Sequence, residues 1–225
     1  MIQPSTIVYV TPKSPSSTIT PYRSLVRHTP PAVEPVTLEE AKAHCRVDTS
    51  DDDTYISSLI SLGRSIVEDR LDRTIITTVW EAKYDHFPMW ELVLPRPPLR
   101  ASNITGSLEV TVTYRDEGGT NRTMLSSNAD FQVDDRAVPG RIYPNYAAVW
   151  PAVRGDENSV TVKWTAGAGR SEMQFEPVCR HAILLLVGHF YANREPVTAG
   201  MTSQNVPIPY TFETLMSQCN LGIYR

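Results

Sequence analysis

Eleven residues from Ala182 to Ala192, AILLLVGHFYA, present apolar surface on nearly every side of a helix. A helix apolar all round lies inside a protein core or inside a membrane. This run is far short of the ~20 residues a membrane span needs, and His189 interrupts it. It must therefore be wrapped by protein, belonging either to the same chain or to a neighbour. Pro177 suits the first turn of that helix, where its missing N–H costs nothing. The helix ends in Tyr191-Ala192-Asn193-Arg194-Glu195.

Upstream, Thr37-Leu38-Glu39-Glu40 reads as a capping box opening a short helix to about Cys45. Asp48 to Asp53 is an acidic turn, and Asp51 or Asp52 can cap the next helix. That helix runs to about Leu71, with Ile56, Leu59, Ile60, Ile66, Val67 and Leu71 forming one apolar stripe. Gly63 lies on the stripe. Glycine there costs ~1 kcal/mol against alanine, so another helix is expected to approach closely. Residues 1–36 hold seven prolines and no acid before Glu34. Such a segment excludes regular helix and reads as an extended arm, able to cross onto a neighbouring subunit, with Arg23 and Arg27 as candidate contacts.

After Asp72-Arg73 the period changes to two. Strands are expected over Thr74–Phe87, Glu91–Leu94, Val110–Arg115, Thr120–Leu125, Phe131–Val133, Arg141–Tyr143 and Val160–Thr165. Asp116-Glu117-Gly118-Gly119 is a hairpin turn, and Gly167-Ala168-Gly169 returns the chain toward helix. The expected fold is α+β: a small bundle of three to four helices (37–73 and 176–220) with an antiparallel, sandwich- or barrel-like β module (74–172) inserted between the second and third main helices. Residues 208–225 form a C-terminal docking segment. Tyr210, Phe212, Leu215, Met216, Leu221, Ile223, Tyr224 and Arg225 make it too apolar to hang in water.

Chemistry is harder to find. The net charge of −4 gives no global drive toward nucleic acid. The cluster Asp48, Asp51, Asp52, Asp53 lacks the glycine and the spaced glutamate of a calcium loop. His181 and His189 lie two turns apart, too far to share an ion, and Cys179 with His181 is not a zinc pattern. No Ser stands in a nucleophile elbow, and Asp134, Asp135, Asp85 and Glu91 do not suggest a catalytic carboxylate pair. No catalytic residue, metal site or cofactor is expected, and the chain is read as a non-enzyme. Cys45, Cys179 and Cys219 are far apart in sequence and read as reduced thiols. No leader of basic then apolar residues opens the chain, so neither a signal peptide nor a membrane anchor is expected. Of Trp80, Trp90, Trp150 and Trp164, those in loops (Trp90, Trp150) are candidates for a stacking or docking surface.

The motifs line up, in order, with one family. Pro35-Val36-Thr37-Leu38-Glu39-Glu40-Ala41-Lys42, Asp51-Asp52-Asp53-Thr54-Tyr55-Ile56, Glu91-Leu92-Val93-Leu94-Pro95-Arg96-Pro97-Pro98-Leu99, Ile142-Tyr143-Pro144, Trp150-Pro151, Thr165-Ala166-Gly167 and the Ala182–Glu195 helix together resemble the head–tail connector (adaptor, head-completion) proteins of tailed bacteriophages. The long N-terminal arm, residues 101–109 and the C-terminal segment depart from that pattern.

The resemblance implies a structural virion protein of the neck, assembled in the host cytoplasm. It implies a homo-oligomeric ring, usually dodecameric, beneath the portal protein. Such a ring extends the DNA channel and offers a platform to a tail or neck protein: a terminator, stopper or nozzle. Duplex DNA is expected to pass without specific binding. The segment from Glu34 to Asp72 holds ten acids against four basic residues. Asp48, Asp51, Asp52, Asp53, Glu68, Asp69 and Asp72 are the candidate channel-lining acids, which would repel phosphate. The alternative is a tail-associated β module that binds carbohydrate or a receptor.

Overall fold

The chain builds two hydrophobic cores and crosses between them three times. One unit comprises Met1–Pro31 and Thr77–Gly167, the other Ala32–Ile76 and Ala168–Arg225. The computed structural model describes residues 7–8, 22–29, 31–100, 110–126, 129–167, 177–194 and 210–221. The fold is mixed α+β, a helical bundle with antiparallel sheets.

In the β unit, β1 (Ile7–Val8), β2 (Ser24–Arg27), β3 (Thr78–Tyr84), β9 (Val160–Ala166), β5 (Val110–Arg115) and β6 (Asn121–Leu125) pair in that order into an antiparallel sheet. A second antiparallel sheet has the order β4 (Leu92–Val93), β8 (Arg141–Pro144), β7 (Phe131–Asp134). Side chains alternate across each strand because successive residues point to opposite faces. In β3 and β9 every second residue is buried. Trp80, Ala82, Tyr84, Val110, Val112, Val162 and Trp164 from the large sheet meet Leu92, Leu94, Phe131 and Ile142 beside the small one, in one core. Register Trp80↔Trp164↔Val110 keeps the largest side chains on that inner face. The β5–β6 hairpin closes as Asp116 accepts the Thr120 N–H at 2.8 Å. Gly119, at φ +84°, supplies the left-handed residue the turn requires.

Strand β2 corrects the reading of residues 1–36 as an arm. Residues 24–27 pair with β3 of the same chain, from Ser24↔Lys83 to Arg27↔Trp80. Leu25 is buried in the β core. The apolar alternation Leu25, then half-buried Val26, is too short to outweigh the surrounding prolines as a sequence signal.

The helical unit holds α1 (Leu38–Cys45), α2 (Asp53–Leu71), α3 (Pro177–Ala192) and α4 (Tyr210–Leu221). The expected capping box forms: Thr37 accepts the Glu40 N–H and Glu40 accepts the Thr37 N–H. Ile56, Leu59, Ile60, Val67 and Leu71 of α2 pack with Ala182, Ile183, Leu186 and Val187 of α3 and with Phe212 and Met216 of α4. Gly63 is the point of closest approach. A Cβ placed there would lie 3.2 Å from Ile183 Cγ2 and 3.5 Å from the Ile183 carbonyl oxygen. The apolar helix α3 thus finds much of its wrapping in its own chain, while Leu184 and Leu185 stay half-buried.

The cysteines depart from expectation. Cys179 of α3 and Cys219 of α4 are joined as a disulfide, with Cα atoms 6.3 Å apart, and Cys45 is free. Forty residues separate the pair in sequence; the packing of α4 on α3 brings them together.

Candidate interaction surfaces

The acids chosen from the sequence divide into three groups. Glu68 cannot line a channel: it is fully buried on the inner face of α2. It accepts Arg64 Nη1 at 2.8 Å and the Ile75 N–H at 2.9 Å. Arg64 in turn donates through Nε to Glu34 at 2.7 Å. Burial pulls the Arg64 guanidinium down, but Glu34 and Glu68 outweigh it and hold it above its ordinary value. This charge set fastens residue 34 and residue 75 to the same face of α2, since Arg64 and Glu68 stand one turn apart.

Asp52 and Asp53 are half-buried and engaged. Asp52 stands at the N-cap position of α2 but makes no side-chain cap bond. Its Oδ2 instead accepts the Tyr191 hydroxyl at 2.6 Å and Arg194 Nη2 at 2.9 Å. Arg194 also lies over the rings of Tyr55 and Tyr191, 4.7 and 5.0 Å from their centroids. The Tyr-x-Asn-Arg ending of α3 is therefore a clamp onto the start of α2. The sequence carries its two halves, an acid-rich turn and a Tyr/Arg-rich helix end, but not their pairing. The Tyr191 hydroxyl, with Arg194, holds the Asp52 carboxyl below the usual carboxylate range. Asp53 takes Lys42 Nζ at 2.6 Å, joining α1 to α2. The third group, Asp48, Asp51, Asp69 and Asp72, is exposed.

The C-terminal candidates divide as well. Phe212 and Met216 are buried in the helical core at 2% and 3% exposure, and Leu215 packs partly against it. These three are corrected from docking to core residues: on a helix, 212, 215, 216 and 219 share one face. Tyr210 and Leu221 bound α4. Ile223, Tyr224 and Arg225 lie outside the described residues.

Arg23 and Arg27, the candidate arm contacts, both make contacts within their own sheet. Arg23 Nε donates to Asp85 at 2.6 Å, and Arg27 lies 5.1 Å from the Trp80 ring centroid. His44 and His181 meet edge to face, centroids 6.3 Å apart. Burial, then the neighbouring His181, pushes the His44 pKa down. Among the described residues no group of three or more His, Cys, Asp or Glu is placed to hold a metal ion. Among them, too, no helix is long and apolar enough to cross a membrane.

The tryptophans separate clearly. Trp80 and Trp164 are buried, and Trp150 is 9% exposed. Trp150 stacks on Phe87 with centroids 4.9 Å apart and donates Nε1 to the Trp90 carbonyl at 3.3 Å. Trp90 itself is 70% exposed, beside Met89 at 81%. In the facing loop, Val149 is 87% exposed and Tyr146 96%. The Trp150–Trp90 bond ties these two loops together beneath their exposed apolar residues. Clustered exposed apolar side chains of this size mark a contact surface more often than scattered ones do.

Residues 35–117 match the sequence model of the phage gp6-like head-tail connector protein family. Three solved structures share the fold. The neck of an empty GTA particle computed with C6 symmetry aligns at TM-score 0.67 and 18% identity, over 86% of this chain and 93% of that one. The virion of a native gene transfer agent (GTA) particle aligns at 0.66 and 19%, with the same coverage. The neck of a native GTA particle computed with C12 symmetry aligns at 0.62 and 18%, again over 86% and 93%. No curated protein matches the chain.

Proposed function

We propose that this chain is a structural subunit of a phage-like neck that assembles as a ring, in keeping with its similarity over residues 35–117 to the gp6-like head–tail connector family of phages. The observation that carries this reading is likeness along nearly the whole chain, 86% of it, to subunits of particle necks. Connector proteins are structural, and we read this chain as structural rather than catalytic. The C12 symmetry of one similar neck supports a ring of twelve. A closed ring repeats one heterologous interface, so every subunit must present two different contact faces to copies of itself.

In this reading the ring sits beneath the portal, continues the DNA channel and receives a tail-side neck protein. The helical unit faces the portal, with Tyr210, Leu221, Ile223, Tyr224 and Arg225 as the candidate docking residues. The exposed acids Asp48, Asp51, Asp69 and Asp72 are the candidate channel lining. Acids there repel the DNA backbone, whereas gripping it needs Lys and Arg at the phosphates and brings steep salt dependence. The receptor-binding alternative loses one of its two tryptophans, since Trp150 is core.

Electron microscopy of the protein mixed with its portal tests the reading. Rings seated on the portal are expected, and removal of residues 222–225 should abolish seating. Duplex DNA should bind the isolated chain no better than ~10⁻⁴ M at physiological salt. A protein that remains monomeric with and without portal overturns the proposal.

A further inference from the structure

An open groove of about 560 Å³ runs along the small sheet, lined by Gln132, Val133 and Asp134 of β7, Tyr143 and Pro144 of β8, and Tyr146 just beyond it. Its aromatic walls stand apart: Tyr143 is half-buried, whereas Tyr146 is 96% exposed. Asp134 Oδ1 accepts the Arg136 and Ala137 N–H groups at 3.0 and 3.1 Å, which fixes the carboxylate. Its Oδ2 has no protein partner among the described residues. Aromatic walls with a fixed acid at one end suit a proline-rich segment that carries a cation. Such a segment is already extended, so little order is lost on docking, and its prolines lie against ring faces.

The chain itself contains that ligand. Pro12-Lys13-Ser14-Pro15 has two prolines three residues apart around a lysine, and no acid stands anywhere between Met1 and Val33. The sheet supplies its tether. The pairing Val8↔Leu25 anchors both ends of the 9–23 segment at the edge of the large sheet. Pro12 to Pro15 follow Val8 by four to seven residues in sequence, a length of chain that at ~3.3 Å per residue could span at most roughly 13–23 Å. That span suits crossing to an adjacent subunit.

We propose that the Pro12–Pro15 segment of one subunit docks in the Tyr143/Tyr146 groove of a second copy, with Lys13 paired to Asp134. The inference rests on the ring reading and adds a defined contact to it. Two full-length variants test it, Lys13→Cys and Asp134→Cys, each in a Cys45→Ser background. They are mixed at concentrations where mass photometry shows rings, then mildly oxidised. A covalent dimer that forms only in the mixture is expected, and Tyr146→Ala in the Asp134→Cys partner should cut its yield about ten-fold while Tyr146→Phe keeps it. The doubly substituted chain separates the alternatives: an internal cross-link with no dimer means that the segment serves its own groove and overturns the inference. Rings without any cross-link overturn it too, leaving the ring intact. If no ring forms at any concentration, the ring reading falls and this contact with it.

Discussion

Glu68 is the side chain whose loss should be felt most, because it is a buried charge that holds both a guanidinium and a backbone N–H. It neutralises Arg64 and accepts the Ile75 N–H where the chain leaves α2. Removing one partner of a buried ion pair typically costs about 3–5 kcal/mol, since the other charge is left uncompensated. Glu34 still reaches Arg64, so Glu68→Ala should fall at the lower end, ~3 kcal/mol, measured by urea unfolding. Asp52 predicts a pH effect of definite sign. Its folded pKa lies below the usual value because Tyr191 and Arg194 hold the carboxylate. That contribution is present above the unfolded pKa, near ~3.9, and is lost as pH falls through the lower folded value. Asp52→Asn should therefore be less stable than the parent at neutral pH, and the two melting curves should converge in acid. A constant gap across that range would remove the clamp from the account of stability.

Among the elements, α2 and α3 meet at a glycine, and this contact sets the helical unit. A Cβ at residue 63 already presses on Ile183 at 3.2 Å, so Gly63→Leu must push α3 outward. Overpacking of this kind costs typically 1–3 kcal/mol, and urea titration of the variant should show it. The role of this glycine is legible in the sequence because it interrupts an apolar stripe where alanine would be cheaper. The capping box and the β5–β6 hairpin are legible because each is a local rule satisfied within a few residues. What stays hidden depends on distant partners. β2 is four residues long, and its pairing with β3, more than fifty residues later, is what joins it to the main sheet. Asp52 has the position of a helix cap, and its own helix end would have sufficed as a partner. The competing bonds from Tyr191 and Arg194, 139 and 142 residues away, take it instead. Cys179 and Cys219 are hidden likewise, since spacing does not reveal which helix faces which. The C-terminal apolar residues need cover, as their composition implies, but the cover for Phe212 and Met216 is the chain's own core.

At the scale of the whole molecule, segments of both units alternate along the chain, β1–β2, then α1–α2, then β3–β9, then α3–α4. Each unit is thus sewn from two separated stretches, and this fixes the order in which a ribosome can complete them. Strand β2 emerges early but waits for β3, and β3 waits for β9, paired Thr78↔Ala166. Helix α2 emerges with its stripe of Ile56, Leu59, Ile60 and Val67 bare, and the side chains that cover it arrive on α3, after the whole β unit has been made. Long-range closure of this kind slows folding and prolongs the exposure of apolar surface. A nascent chain stalled with residue 176 just outside the exit tunnel should carry a protease-resistant β unit beside a protease-sensitive α1–α2 pair, and release of α3 and α4 should protect both. Synthesis of the last fifty residues is then the step at which the apolar stripe of α2 ceases to be open to solvent and becomes the wall of a closed core.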